Sequence, residues 1–170
     1  MTVIIGHGTD KDPDYLPLST KNKRPIQNAQ QKEKSPEQLR AAVEFAMALC
    51  PGITLRSLSA TYNCLGLVFA SRRTCIDAEH TEWIMSDDEY QVVQERKDVE
   101  RGDLVIYRNK KSEVTHVAVV WDKCLDVETG KWSFYCLSQW GSDGEYFHAE
   151  DEVPVWLGTC SEFRSERKYH

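Results

Sequence analysis

A cysteine attacks a carbonyl carbon as its thiolate, and a free thiol with a pKa of about 8.5 needs help to ionise at neutral pH. Six cysteines are available, at positions 50, 64, 75, 124, 136 and 160. Cys64 stands where two kinds of help could reach it. It follows the polar turn Tyr62-Asn63 and opens the apolar run Leu65-Gly66-Leu67-Val68-Phe69-Ala70. Asn63 is a good N-cap, which puts Cys64 on the first turn of a helix, where the backbone N–H groups favour an anion. The same N–H groups are candidates for an oxyanion hole. The second help is an imidazole. His116 leads the apolar stretch Val117-Ala118-Val119-Val120, and a polar ring at the mouth of such a strand calls for a partner. The expected partner is the Cys64 thiol, with His116 as its base.

A base of this kind is held in one orientation by a third polar group. A hairpin after His116 would return Leu137-Ser138-Gln139 beside it, so Gln139 is the first candidate and Ser138 the second. Asn63, Tyr62, Trp140 and His148 are the candidates for oxyanion or substrate contact. His148 is open to three readings: a surface histidine in a loop, a substrate contact, or a second group orienting the site. The chemistry expected is hydrolysis of an amide or peptide bond through a thioester at Cys64. His116 takes the thiol proton and later gives it to the leaving amine. Neither a metal nor an organic cofactor is called for.

The elements that must position these residues read as follows. Residues 1–34 are polar, carry Pro13, Pro17 and Pro25, and read as an extended arm or a partly disordered lead. Ser35-Pro36-Glu37-Gln38 is a helix start with a capping box, and Pro51-Gly52 is the stop, so the spacing predicts an amphipathic helix over 36–49. Residues 53–62 read as a connector and 64–71 as a buried helix. Ser86-Asp87-Asp88-Glu89 reads as the start of a further helix running to about Lys97. Strands are expected at Leu104–Tyr107, His116–Trp121, Trp132–Trp140 and Val153–Gly158, with a hairpin turn across Asp126 to Lys131. Helices first and an antiparallel β-meander after them is the order of an α+β domain, here assigned to residues 35–160 with a polar tail over 161–170.

Composition narrows the class. The chain has 170 residues, 41% of them hydrophobic, which suits one compact domain. A formal net charge of −6 argues against a general nucleic-acid or membrane-surface binder. The start, Met1-Thr2-Val3-Ile4-Ile5-Gly6, does not read as a signal peptide, and no apolar run is long enough to span a bilayer, so a cytoplasmic location as synthesised is expected. Free thiols then fit better than a disulfide frame. A zinc site built on Cys75 and His80, or on Cys124 and Cys136, lacks the usual ligand spacing, and none is expected.

The motifs also carry a resemblance. Tyr62-Asn63-Cys64-Leu65-Gly66-Leu67-Val68 is similar to the nucleophile motif of NlpC-type cysteine peptidases. Arg101-Gly102-Asp103-Leu104-Val105-Ile106-Tyr107 resembles the Gly-Asp-Leu-Val strand that follows it, and Thr115-His116-Val117-Ala118-Val119-Val120 the histidine strand. The related CHAP amidases place a polar third residue near where Ser138-Gln139 falls. The likeness covers residues 55–142. It implies a papain-like fold, a peptide or amide substrate, and Cys64 and His116 as the dyad. Asn63 departs from the more usual acid before the cysteine, and Gln139 is an unusual orienting residue. The order, cysteine before histidine, separates the chain from the permuted lecithin–retinol acyltransferase branch. Two further readings go with the resemblance. One is an effector or toxin amidase acting on peptidoglycan peptides, exported without a cleaved signal and countered by an inhibitor or immunity protein. The other is a papain-like binding module without activity.

Overall fold

The computed structural model describes residues 15–167, so the first fourteen residues of the expected arm lie outside the described residues. The first helix, α1 (Pro36–Leu49), forms where its caps demand. Ser35 Oγ accepts from Gln38 N at 3.3 Å and Gln38 Oε1 accepts from Ser35 N at 3.0 Å. This reciprocal box satisfies two N–H groups that the helix cannot pair internally. Helix α2 (Cys64–Phe69) is short and almost wholly buried. Asn63 caps it, its Oδ1 accepting from Gly66 N at 2.9 Å. The same side chain also grips the backbone of Ile76, accepting from its N–H at 3.1 Å and donating to its carbonyl at 2.8 Å. Asn63 therefore ties α2 to β3 (Cys75–Ile76), which pairs with β1 (Asn28–Ala29) in a small antiparallel ribbon. Gly66 is required where α2 crosses this ribbon: a Cβ there would collide with the Thr74 carbonyl oxygen.

The main sheet is antiparallel throughout, with strand order β2-β8-β7-β6-β5-β9-β4. Its strands are β2 (Thr54–Ser57), β4 (Gln91–Val93), β5 (Leu104–Arg108), β6 (Val114–Asp126), β7 (Lys131–Gln139), β8 (Glu145–Ala149) and β9 (Thr159–Ser165). The class is α+β, with an antiparallel sheet. Strand β5 and the first half of β6, His116 to Val120, are largely buried on both faces, as their apolar runs require. One face contributes Leu104, Ile106 and Val117 to a core shared with Cys64, Leu65, Phe69, Ile76, Ile84 and Met85. The other contributes Val105, Tyr107, Ala118 and Val120 to a second core with Phe134, Cys136 and Phe163. A third cluster, with Ala46, Cys50, Trp140 and Tyr146, seats α1.

Several expected elements differ. The helix foreseen from Ser86 to Lys97 is replaced by α3 (Thr81–Asp87), the strand β4 and a 3-10 turn at Arg96–Asp98. Asp87, read as part of a helix start, ends α3 and is buried. Thr20 Oγ1 donates to it at 2.9 Å, and Arg24 forms an ion pair with it at 3.1 Å. The connector 53–62 contains the edge strand β2, and Val153–Gly158 holds a 3-10 turn at Val155–Leu157 in place of a strand. The region read as a tail after residue 160 continues β9, which lies inside the sheet between β5 and β4. Residues 15–34 are packed in part, with Leu18 and Ile26 in the first core. Among the described residues no helix is long and apolar enough to cross a membrane.

Gly66→Ala is expected to lower the unfolding free energy by about 3 kcal/mol, at the upper end of overpacking costs, because a backbone carbonyl has no side-chain torsion with which to yield. Urea denaturation of the two proteins checks this.

Candidate functional site

Cys64 holds the predicted position, on the first turn of α2 behind the Asn63 cap. Its surroundings are those of a core residue. It is 8% exposed and belongs to the cluster of Val117, Ile106 and Leu104. Burial pushes its thiol up, while hydrogen bonds from the backbone at Val117, Leu65 and Cys64 itself pull the other way without overcoming it. A thiol in this state is protonated at neutral pH.

His116 faces elsewhere. It pairs in register with Tyr107, and the two rings lie 5.3 Å apart. Tyr107, Ala118 and Val120 belong to the second core. Successive residues of a strand point to opposite faces, so His116 shares its face with Ala118, and Val117 shares the other with Cys64. The strand β6 thus stands between the core that holds the thiol and the face that holds the imidazole. Neither ring nitrogen of His116 has a hydrogen-bond partner, Cys64 included, although the residue is only 1% exposed. Burial, followed by the neighbouring His148, lowers its pKa to about 3. The expected Cys64–His116 dyad is therefore not assembled, and the reason is strand alternation.

The expected orienting residues separate in the same way. Gln139 pairs with Glu145, and its neighbour Leu137 with Val119, on the thiol's side of the sheet. Its Nε2 donates to the Ser59 carbonyl at 2.7 Å and its Oε1 is buried without a partner. It does not reach His116. Ser138 is on the imidazole's side but is engaged by His148. Their Oγ–Nε2 distance is 2.8 Å, and Trp140 Nε1 donates to the same Oγ at 3.1 Å. His148 Nδ1 lies 2.8 Å from the Ala149 carbonyl, which can only accept. That assigns the proton to Nδ1 and leaves Nε2 to accept from Ser138, so a single neutral tautomer completes the chain Trp140–Ser138–His148. Burial lowers the His148 pKa to about 4, against the pull of the Ala149 carbonyl. His148 is fully buried on β8, which excludes the surface-loop reading. Trp140, foreseen as a contact for substrate, is packed in the third cluster.

The strongest polar cluster was not foreseen. Glu145 is completely buried, yet its carboxylate takes four bonds. Arg72 Nε and Nη2 donate to it at 2.8 and 3.0 Å, Arg56 Nη1 at 2.6 Å and Tyr62 Oη at 2.7 Å. Burial alone would raise its pKa; Arg72, Tyr62 and Arg56 together hold it below the usual range. Tyr62 is therefore a structural donor, with its own pKa raised by burial. A sequence signal did exist. Gly141 and Gly144 bracket a turn, and the aromatic pair Tyr146-Phe147 that follows is of the residue type enriched in strands.

Among the described residues, Asp77, Glu79 and His80 are the group of potential metal ligands whose donor atoms come within 4.8 Å of one another. Both carboxylates are exposed, and solvated acidic groups of this kind need no ion. No protein-family model matches the chain, and no curated protein matches it.

Two measurements follow from these groups. Both histidines are neutral when folded and have pKa values below the unfolded value of about 6.5. As pH falls from about 6.5 towards 4, the unfolded chain takes up protons that the folded chain refuses, so stability declines over that window. Each histidine steepens the slope by about 1.4 kcal/mol per pH unit. Urea titrations at pH 7, 6 and 5 are expected to show this slope, and a flatter one in His148→Gln. Glu145→Gln, which leaves two guanidinium groups without their counter-ion, should cost about 2–3 kcal/mol at pH 7, tempered because both arginines reach solvent.

Proposed function

We propose that the chain is a papain-like α+β domain that works as a binding module rather than as a Cys64–His116 hydrolase. One observation carries this reading: the thiol and the imidazole belong to opposite faces of β6, both buried, with no hydrogen bond between them. A nucleophile needs its base within about 2.6–3.2 Å, or somewhat further before substrate binds. A change of rotamer does not carry a side chain through a paired strand. The protonation states agree, with Cys64 raised and His116 lowered to about 3. A thiolate–imidazolium pair requires the reverse of both shifts. The helix that holds Cys64, the sheet it packs on and the order of the two motifs are what support the papain-like description.

The hydrolase reading retains one favourable observation, the position of Cys64 on the first turn of a capped helix. It would act on an amide or peptide bond, and it requires His116 to reach the other face of β6 against its register with Tyr107.

Iodoacetamide at neutral pH separates the two. The binding-module reading expects Cys124, the exposed thiol, to react first. Cys75 and Cys160, half-buried and pushed up to about 11 by burial, follow. Cys50, Cys64 and Cys136 are then the slowest. Preferential labelling of Cys64, lost in His116→Ala, would overturn this reading and restore the hydrolase.

A further inference from the structure

Where α2 ends, the backbone takes an unusual course. Ser71 and Arg72 both have positive φ, 51° and 65°, and neither is glycine. Consecutive left-handed residues of this type cost about 1–3 kcal/mol each and persist only where other contacts over-determine them. Those contacts are present. Arg72 N donates to the Gly66 carbonyl at 2.9 Å, and its guanidinium binds Glu145 along the Nε–Nη2 edge. Arg73 Nε donates to the Ala70 carbonyl at 3.1 Å, and Gln30 Nε2 donates to the Arg73 carbonyl at 2.9 Å. Two adjacent arginines are thereby fixed at the rim of an open pocket of about 440 Å³, framed by Gln30, Gln31, Lys32, Thr61, Arg72 and Arg73.

The chemistry of that rim is one-sided. The chain carries 27 acidic and 21 basic residues, yet three cations and no carboxylate line the pocket. Two acids adjoin these cations, Glu33 next to Lys32 in the chain and Glu145 bonded to Arg72, and both are engaged elsewhere. Glu33 accepts from Ala60 N at 2.6 Å and from Ser59 Oγ at 2.9 Å, and Glu145 is sealed beneath Arg72 and Arg56. Two amides and a hydroxyl add neutral donors. Guanidinium groups match the planar, divided charge of oxyanions, and a positive pocket on a negative protein concentrates anions locally.

We infer that this pocket is a binding site for a small molecule bearing a phosphate or carboxylate group. The inference rests on the binding-module reading and gives it a ligand class. Arg72, its backbone held under strain and its side chain anchored on Glu145, serves as the pre-formed contact. Arg73 and Lys32 complete the charge.

Isothermal titration of the full chain with inorganic phosphate, and separately with citrate, against sodium chloride at matched ionic strength tests it. Saturable binding is expected for at least one of the two. Phosphate alone identifies a phosphate-bearing ligand, citrate alone a carboxylate-bearing one, and both an oxyanion site indifferent to the source. Lys32→Gln with Arg73→Gln should weaken binding by about tenfold or more. Lys110→Gln with Lys111→Gln, on the loop between β5 and β6, should leave it unchanged. If the double variant at the pocket fails to fold, Lys32→Gln alone, at an exposed position, still reports the loss. Absence of saturable binding for both anions, or equal binding in the pocket variants, overturns the inference. Such a failure leaves the Cys64 labelling pattern to be read separately, and preferential labelling of Cys64 leaves the titration unaffected.

Discussion

A strand segment buried on both faces commits each of its side chains to one of two cores, and the first half of β6, His116 to Val120, is such a segment, paired with β5. Leu104, Ile106 and Val117 pack under α2, while Val105, Tyr107, Ala118 and Val120 pack on the far side. A one-residue slip would exchange the two sets, so the register between β5 and β6 is strongly specified. That register also decides the chemistry. It assigns His116 to the face of Tyr107 and His148, and leaves Cys64 with Val117. The arrangement of polar groups follows from a packing constraint that acts mostly through apolar residues.

Each face then deals with its buried polar groups differently. On the thiol's side the carboxylate of Glu145 is balanced by two guanidinium groups and hydrogen-bonded by Tyr62, so its charge survives burial. A buried ion pair of this quality contributes little net stability compared with apolar packing, but losing one partner is costly. The consequence is positional: Arg72 and Arg56 are pinned, and the turn after α2 is pinned with them. On the imidazole's side there is no compensating charge. His148 stays neutral in a complete chain of hydrogen bonds, and His116 stays neutral with its nitrogens unpaired. An unpaired buried polar atom costs about 1–3 kcal/mol, which the packing of Tyr107 and Ala118 around the ring must offset.

The features that could be read from sequence were those set by local rules. Ser35 with Gln38, Pro36 at the first helical position and Asn63 before Cys64 are caps, and a cap involves residues three apart in the chain. The hairpin from β6 to β7 was legible for the same reason. Ser86-Asp87-Asp88-Glu89 has the composition of a helix start, but Asp87 is claimed by Thr20 and Arg24, more than sixty residues earlier. No local pattern encodes such a partner. The face taken by His116 is hidden in the sequence for a different reason. In His116-Val117-Ala118-Val119-Val120 both alternating sets are apolar after the first residue, so periodicity shows a buried strand without showing which set meets the helix. The position of Cys64 on its helix was legible; the face on which its base would have to stand was not.

Asn63 acts in two ways at once. As an N-cap it justifies placing Cys64 on a first helical turn. The same Oδ1 also accepts from Ile76 N, so the cap is shared with a strand and the helix start is sealed against β3. A helix terminus favours an anion by a fraction of a kcal/mol to about 2 kcal/mol. Desolvation in a closed core can exceed that, and here it raises the Cys64 thiol despite the cap and the backbone donors. A cap before a cysteine is therefore evidence for position. Reactivity also needs an opening to solvent or a charge partner, and the residues that seal α2 against β3 and β6 supply neither.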